Sequence, residues 1–145
     1  MPASSEVVFD VIHDYARRLE WDSLLSAAYI DDGATAAGKD VVTVCVGRPM
    51  LGRIALRTIY VSFVRPRVAA VKMLNRPLFF ATWAASIRHE DLTERQSRVT
   101  YTFTFTARPR VLAWLLEPLM LRIFRWETEK RLAALRAYLT RRIDA

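Results

Sequence analysis

Apolar residues near the end of this chain recur at helical spacing, while those before them recur at every second position. Leu121, Phe124, Thr128, Leu132, Leu135 and Leu139 step by 3, 4, 4, 3 and 4, which keeps them on one face of a helix. Arg122, Arg125, Glu129 and Arg136 occupy another face, and Arg125–Glu129 and Glu127–Arg131 stand at i,i+4 spacing. Just ahead of this stripe, Leu119, Met120, Ile123 and Trp126 spread apolar surface almost all the way round. Pro118 has no amide hydrogen and disfavours helical geometry at Glu117. The pattern therefore predicts a short helix over 110–116 that kinks into a long one over 118–143. The long piece would span roughly 39 Å, enough to cover an apolar interior.

Earlier in the chain, Ser4 or Ser5 caps a first helix and Glu6 suits its first turn, with Val8, Val11, Ile12, Tyr15 and Leu19 as the buried stripe. His13 falls on the opposite side, near Asp10 and Arg17, and reads as a solvated histidine. A second short helical turn over 16–20 leads into Trp21, which is placed to plug the junction of helix and sheet. The period then changes to two. A strand over 26–30 ends in a turn at Asp31, Asp32 and Gly33. Val42, Val44 and Val46 alternate with Thr43 and Cys45, so Cys45 is expected to face away from the core. Residues 53–64 make a long strand whose apolar parity changes between Leu56 and Ile59, predicting a bulge near Thr58. Turns at Arg65-Pro66-Arg67 and Asn75-Arg76-Pro77 bracket a strand over 68–74, and 79–91 follows with Trp83, Ala85, Ile87 and His89 on one face. Val99, Tyr101, Phe103 and Phe105 then alternate strictly with four threonines, an aromatic face inward and a threonine face to water. The sum is an α+β fold in one domain over 1–145: two short helices, about six antiparallel strands and one long C-terminal helix.

Composition narrows the class. A chain of 145 residues that is 52% hydrophobic and 11% aromatic is not disordered and is long enough to bury a core. No apolar run approaches the ~20 residues that a membrane helix needs, and no basic-then-apolar leader pattern opens the chain. Cys45 is the single cysteine, which rules out an internal disulfide and fits a reducing, cytoplasmic compartment. The net charge of +7 is uneven: residues 1–40 hold three basic and eight acidic side chains, and the rest hold 19 and seven. Of the 22 basic residues 19 are arginine, scattered over turns and strand edges, so no nucleic-acid partner is expected. Weak contact with an anionic membrane surface fits better, because Arg122 and Arg125 stand beside apolar residues.

Candidate chemistry is sparse. Four glycines in total leave no phosphate-binding loop, and no Gly-x-Ser-x-Gly elbow occurs. One cysteine and two distant histidines do not match metal-ligand spacing, so neither a metal nor a cofactor is expected. His89 is the one titratable group whose strand parity places it with the inward set.

The opening Pro2-Ala3-Ser4-Ser5-Glu6-Val7-Val8-Phe9-Asp10-Val11-Ile12, then Asp14-Tyr15 and Glu20-Trp21-Asp22, resembles the first helices of the START/Bet v 1-like superfamily. It is most similar to the bacterial polyketide cyclase/dehydrase-like (SRPBCC) branch, as are Ser86-Ile87-Arg88-His89-Glu90, Arg98-Val99-Thr100-Tyr101 and the arginine-rich closing helix. The resemblance covers nearly the whole chain but carries no catalytic signature. It implies a helix-grip fold, a curved antiparallel sheet wrapped around the C-terminal helix with a cavity between them. That family normally has a strand before the helix that begins here near Ser4. Either the start is assigned late, or the sheet has six strands and an open edge.

The expected function on this resemblance is the binding of a small hydrophobic or aromatic molecule, lipid or polyketide-like, by a monomer or homodimer. The expected walls are Trp21, Tyr29, Val44, Leu56, Trp83, Ile87, Tyr101 and Phe103 with Leu116, Met120 and Phe124 of the helix, and Tyr29, Tyr101 and His89 would supply polar groups. The alternative is a polyketide cyclase or dehydratase that folds its substrate in the cavity and moves protons through a His or Tyr. A third reading is an interaction or membrane-surface module using residues 119–126.

Overall fold

Alternation builds the largest element of the structure, a six-stranded sheet whose strands lie side by side in chain order. A computed structural model describes residues 1–31 and 33–143; Asp32 of the predicted turn lies outside the described residues. Helix α1 (Ser5–His13) and a 3-10 turn (Arg18–Glu20) come first. Strands β1 (Leu25–Ile30), β2 (Val42–Gly47), β3 (Ala55–Val64), β4 (Val68–Met73), β5 (Phe80–Thr93) and β6 (Gln96–Ala107) follow, all antiparallel to their neighbours. A 3-10 turn (Arg110–Leu112) then feeds helix α2 (Ala113–Ile143). This is the helix-grip α+β architecture.

The β5–β6 hairpin follows its pattern closely. Trp83 pairs with Phe105, Ala85 with Phe103 and Ile87 with Tyr101, so one face is aromatic and packs towards α2 while Thr100, Thr102, Thr104 and Thr106 are exposed. The other strands show two departures. In β2, Thr43 is buried and Cys45 faces the interior, and it is Val44 that points the other way. A two-residue period gives a strand two faces without saying which is inner, and here Thr43 is drawn inward by hydrogen bonds to Tyr15 and Thr58. In β3, the irregularity falls between Tyr60 and Ser62, not near Thr58, so Thr58 and Tyr60 keep the inward parity of Leu56 and Phe63 rejoins it afterwards.

Helix α1 is capped by Ser4, whose hydroxyl accepts from the Val7 amide, and it buries Val8 and Ile12. It stops at His13, so Leu19 does not continue the stripe and is 49% exposed. His13 is buried, not solvated, because α1 lays it against Tyr60 and Phe63 of β3. The N-terminal segment is tied to the hairpin. The Met1 ammonium donates to the Ser97 carbonyl at 2.6 Å and the Ser97 amide donates back to Met1 at 3.1 Å. The Asp91 carboxylate accepts from the amide and hydroxyl of Ser5 at 2.6 and 2.8 Å.

Helix α2 runs through Pro118 as one element, roughly 46 Å long. Pro118 costs only the bond to the Trp114 carbonyl, in a turn that faces water, while the Glu117 carboxylate fastens the helix start by accepting from the Ala107 amide at 3.1 Å. The covered row keeps Phe124, Leu135 and Leu139 of the predicted stripe, and at the other three positions it lies one residue earlier. Met120, Phe124, Glu127, Arg131, Leu135 and Leu139 face the protein, and Leu121 is exposed. Leu135 and Leu139 close an apolar cluster with Val8, Ile12 and Trp21, and Met120 and Phe124 close another with Phe80 and Trp83. Between the clusters the inward face is polar. Leu135→Ala is expected to cost about 2–5 kcal/mol and Leu121→Ala under ~0.5 kcal/mol, measured by urea unfolding; equal costs would refute this placement of the helix.

Candidate functional site

The strip between the two apolar clusters does not close, and a cavity of about 350 Å³ opens there between sheet and helix. Its walls are Leu25, Leu56 and Phe80 from the strands and Leu116, Met120, Ile123 and Phe124 from α2. Met50 and Leu51 before β3, Leu78 and Phe79 before β5, and Leu119 form its mouth. A smaller chamber of about 90 Å³ lies deeper and shares Cys45, Leu56, Phe124 and Arg131 with the first. A wider surface cleft, about 790 Å³, sits by the β5–β6 turn between Arg67, Arg88, Arg98, Glu90 and Asp91. Its walls are mostly exposed charges of both signs, with buried His89 and Ser5 at its floor, whereas the inner pair of chambers is apolar with buried polar groups at one end.

Inward parity of β2 and β3 supplies that polar end. His13 Nδ1 lies 2.8 Å from the Tyr60 hydroxyl, which lies 3.2 Å from the Tyr15 hydroxyl, and Tyr15 donates to Thr43 Oγ1 at 3.1 Å. Each hydroxyl has one proton. If Tyr15 gives its own to Thr43, Tyr60 must give its proton to Tyr15, and His13 Nδ1 must then be the donor to Tyr60. That assignment leaves His13 Nε2 as a bare acceptor, and this atom has no hydrogen-bond partner among the described residues. Trp83 Nε1, also in the chamber wall, is likewise buried without a hydrogen bond, and Arg131 Nε makes none beyond its 3.4 Å ion-pair contact with Asp22.

A charged cluster stands beside the hydroxyl chain. Asp22 is fully buried and accepts from Arg18 Nε at 3.2 Å and from the Leu24 amide at 3.3 Å. Arg131 reaches the same carboxylate at 3.4 Å and stands 3.6 Å from Glu127. Burial pushes the Glu127 carboxyl up, against the pull of Arg131. Burial also raises the Cys45 thiol and the Tyr15 and Tyr60 hydroxyls, and takes Tyr101 up to about 12. All four are neutral at ordinary pH. Among the described residues no group of three or more His, Cys, Asp or Glu is placed to hold a metal.

Of the residues singled out from sequence, Leu56, Trp83, Ile87, Tyr101, Leu116, Met120 and Phe124 line the two chambers. Trp21 instead packs under the end of α2 with the Arg18 guanidinium 4.5 Å over its ring. Tyr29 is 47% exposed on β1, and Val44 is on the face of β2 turned from the cavity. His89 points inward but is screened by the Phe9 ring, 5.2 Å away. Phe103 is taken up by packing on Phe124 at 5.5 Å. Sequence reasoning missed Tyr15, Tyr60, Arg18, Glu127 and Arg131. Glu127 and Arg131 carried a signal, since they sit at helical spacing from Phe124 and Leu135 and so interrupt an apolar row.

A family model described as polyketide cyclase / dehydrase and lipid transport matches residues 1–140. No curated protein matches the sequence. Among solved structures, the Zhui aromatase/cyclase from Streptomyces sp. R1128 is similar with a TM-score of 0.77 at 16% identity, over 98% of this chain and 90% of that one. The di-domain aromatase/cyclase StfQ of the steffimycin biosynthetic pathway gives a TM-score of 0.78 at 10% identity, over 99% of this chain and 49% of that one. A START superfamily protein from Mycobacterium smegmatis gives 0.69 at 10% identity, over 91% and 88%. At these identities the likeness is one of fold.

The two histidines make the fold acid-sensitive. Burial depresses His13 to about 3, with Arg18 and His89 adding to the effect, and burial depresses His89 to about 4. The unfolded chain therefore binds more protons between these values and ~6.5. Stability from this source is complete above about 6.5 and drains as the pH falls through 5 towards 4. From pH 7 to 5, His13 alone is expected to cost about 2 kcal/mol, with His89 adding in the same direction. A urea midpoint that does not move over this range would refute the buried neutral assignment.

Proposed function

Because the chain belongs to the polyketide cyclase / dehydrase and lipid transport family, we propose that its two chambers bind one small hydrophobic or aromatic molecule bearing an oxygen at one end. The body of the ligand lies against Leu56, Met120 and Phe124, and its oxygen meets the Tyr15, Tyr60 and Arg131 end. The observation that carries this reading is the cavity itself: apolar from the mouth inward, then ending in buried polar atoms that lack partners. Ligand sites combine an apolar lining with a few placed polar groups in this way, and about 350 Å³ lies in their usual size range.

Catalysis of the cyclase or dehydratase type is the second reading, and one observation favours it: Glu127 lines the cavity with its carboxyl shifted upward by burial. A proton carrier works best with a pKa near the operating pH. His13, at about 3, is too weak a base, and Tyr60, pushed well above 10, is too weak an acid. Both are suited to accepting a hydrogen bond from a ligand hydroxyl, and neither to moving a proton. Glu127 is the group on which an enzymatic activity would rest.

Native mass spectrometry of the purified protein is expected to find a co-purified hydrophobic molecule, and an apolar fluorescent dye is expected to bind in its place. Leu56→Trp, at the junction of the chambers, should abolish dye binding while leaving the urea midpoint in place; retained binding would overturn the cavity reading. Tyr60→Phe should weaken a hydroxyl-bearing aromatic about 2–10-fold and leave an aromatic hydrocarbon unchanged. Equal effects on both would remove the polar end from the reading.

A further inference from the structure

Around the cavity mouth the protein exposes a run of large apolar side chains. Val111 and Trp114 are 78% and 75% exposed, and Met50, Leu78, Leu115 and Leu119 are each more than half exposed. They form one surface. Met50, Leu78 and Leu119 ring the same opening, and Val111, Leu115 and Leu119 step by four along the start of α2 and the turn before it. Contiguous exposed apolar surface of this kind marks an interaction site.

Charge decides what it meets. The three segments that build the rim, 47–53, 74–79 and 108–125, hold seven arginines and a single carboxylate, Glu117, which is committed to the Ala107 amide. Arg108 donates to the carbonyls of Arg76 and Leu78, which fixes its guanidinium beside the apolar rim. Arg110 and Arg122, both exposed, bracket the row from Val111 to Leu119. A second copy of the chain would bring a positive rim against a positive rim. Aliphatic side chains and an exposed tryptophan flanked by arginines instead match the boundary of an anionic bilayer, where rings and methylenes enter the acyl region and guanidinium groups meet phosphates. Among the described residues no helix is long and apolar enough to cross a membrane, so the contact is peripheral.

We propose that this rim docks the protein, cavity mouth first, on a membrane surface rich in anionic phospholipid. The docking does not depend on what the cavity holds. It is tested by sedimenting the full chain with vesicles of phosphatidylcholine alone and of phosphatidylcholine with phosphatidylglycerol. Binding is expected to the anionic vesicles, to fall with added salt, and to drop on the order of tenfold or more in Arg110→Glu/Arg122→Glu. Trp114→Ser/Leu115→Ser should lose binding to the same extent while still taking up the apolar dye, which separates this surface from the cavity. No binding to anionic vesicles would overturn the proposal. So would binding that survives both double variants, or a concentration-dependent dimer that the serine variant abolishes in place of vesicle binding.

Discussion

The geometry depends on one buried charge. Asp22 is removed from water, and an unpaired carboxylate there would be prohibitively costly. Its balance comes from two arginines on different elements, Arg18 of the first 3-10 turn and Arg131 in the middle of α2. The pairing acts as a fixed bolt between the N-terminal segment and the long helix. Breaking such a pair by removing one partner typically costs about 3–5 kcal/mol, whereas replacing the whole cluster with apolar residues is often neutral or better. The cluster therefore sets position more than net stability. It holds α2 against Trp21, Val8 and Ile12 at one end, and the other half of the helix is left to stand off part of the sheet.

That stand-off follows from volume. Beyond Arg131 towards the N-terminus of α2, Phe124, Met120, Leu116 and Ala113 pack on the aromatic cluster of Phe80, Trp83 and Phe105. The sheet face there is already filled by its own rings, with Phe103 and Phe105 both in ring contact with Phe124. Leu119 and Ile123 stand outside that cluster and line the cavity or its mouth, and Leu116 is shared between cluster and cavity. The same surplus of apolar residues turns outward at Trp114 and Leu115. One helix is thus core at its end, cavity wall in its middle and surface patch at its start.

Much of this was legible in the sequence, and what was missed has physical causes. Alternation of large rings with threonine fixed both register and facing of β5 and β6, because only one face of that hairpin could be buried. The cap at Ser4, the two short N-terminal helical pieces and the count of strands were readable for the same kind of reason. Parity in β2 was not readable, since valine, threonine and cysteine are all small enough for either face, and a hydroxyl network decided the matter. The shift in β3 was placed too early because Ile59 looked like core. Its inward neighbours are the polar Thr58 and Tyr60, whose partners come from distant segments. The candidate site suffered most from this. Apolar walls such as Leu56, Trp83 and Met120 follow from pattern, but Tyr15, Tyr60 and Arg18 are brought together only by tertiary structure.

The polar residues on the inner face of α2 bear on function more directly than any wall residue. Arg131 is held in place by Asp22, but a helix selected for stability alone would carry a leucine at 127. That change would remove one buried charge and fill part of the cavity with methyl groups. The chain instead places Glu127 there, with its carboxyl pushed upward by burial. Locally unfavourable choices that the fold does not require are the ones most readily explained by a site. The same reasoning separates Glu127 from His13. The histidine packs against Phe9 and is held by its bond to Tyr60, whereas the glutamate faces open volume. On the proposed function, Arg131 then has two tasks that a leucine could not combine: its Nε stands 3.4 Å from Asp22 and balances that carboxylate, and its positive charge faces the chamber where the ligand's oxygen would lie.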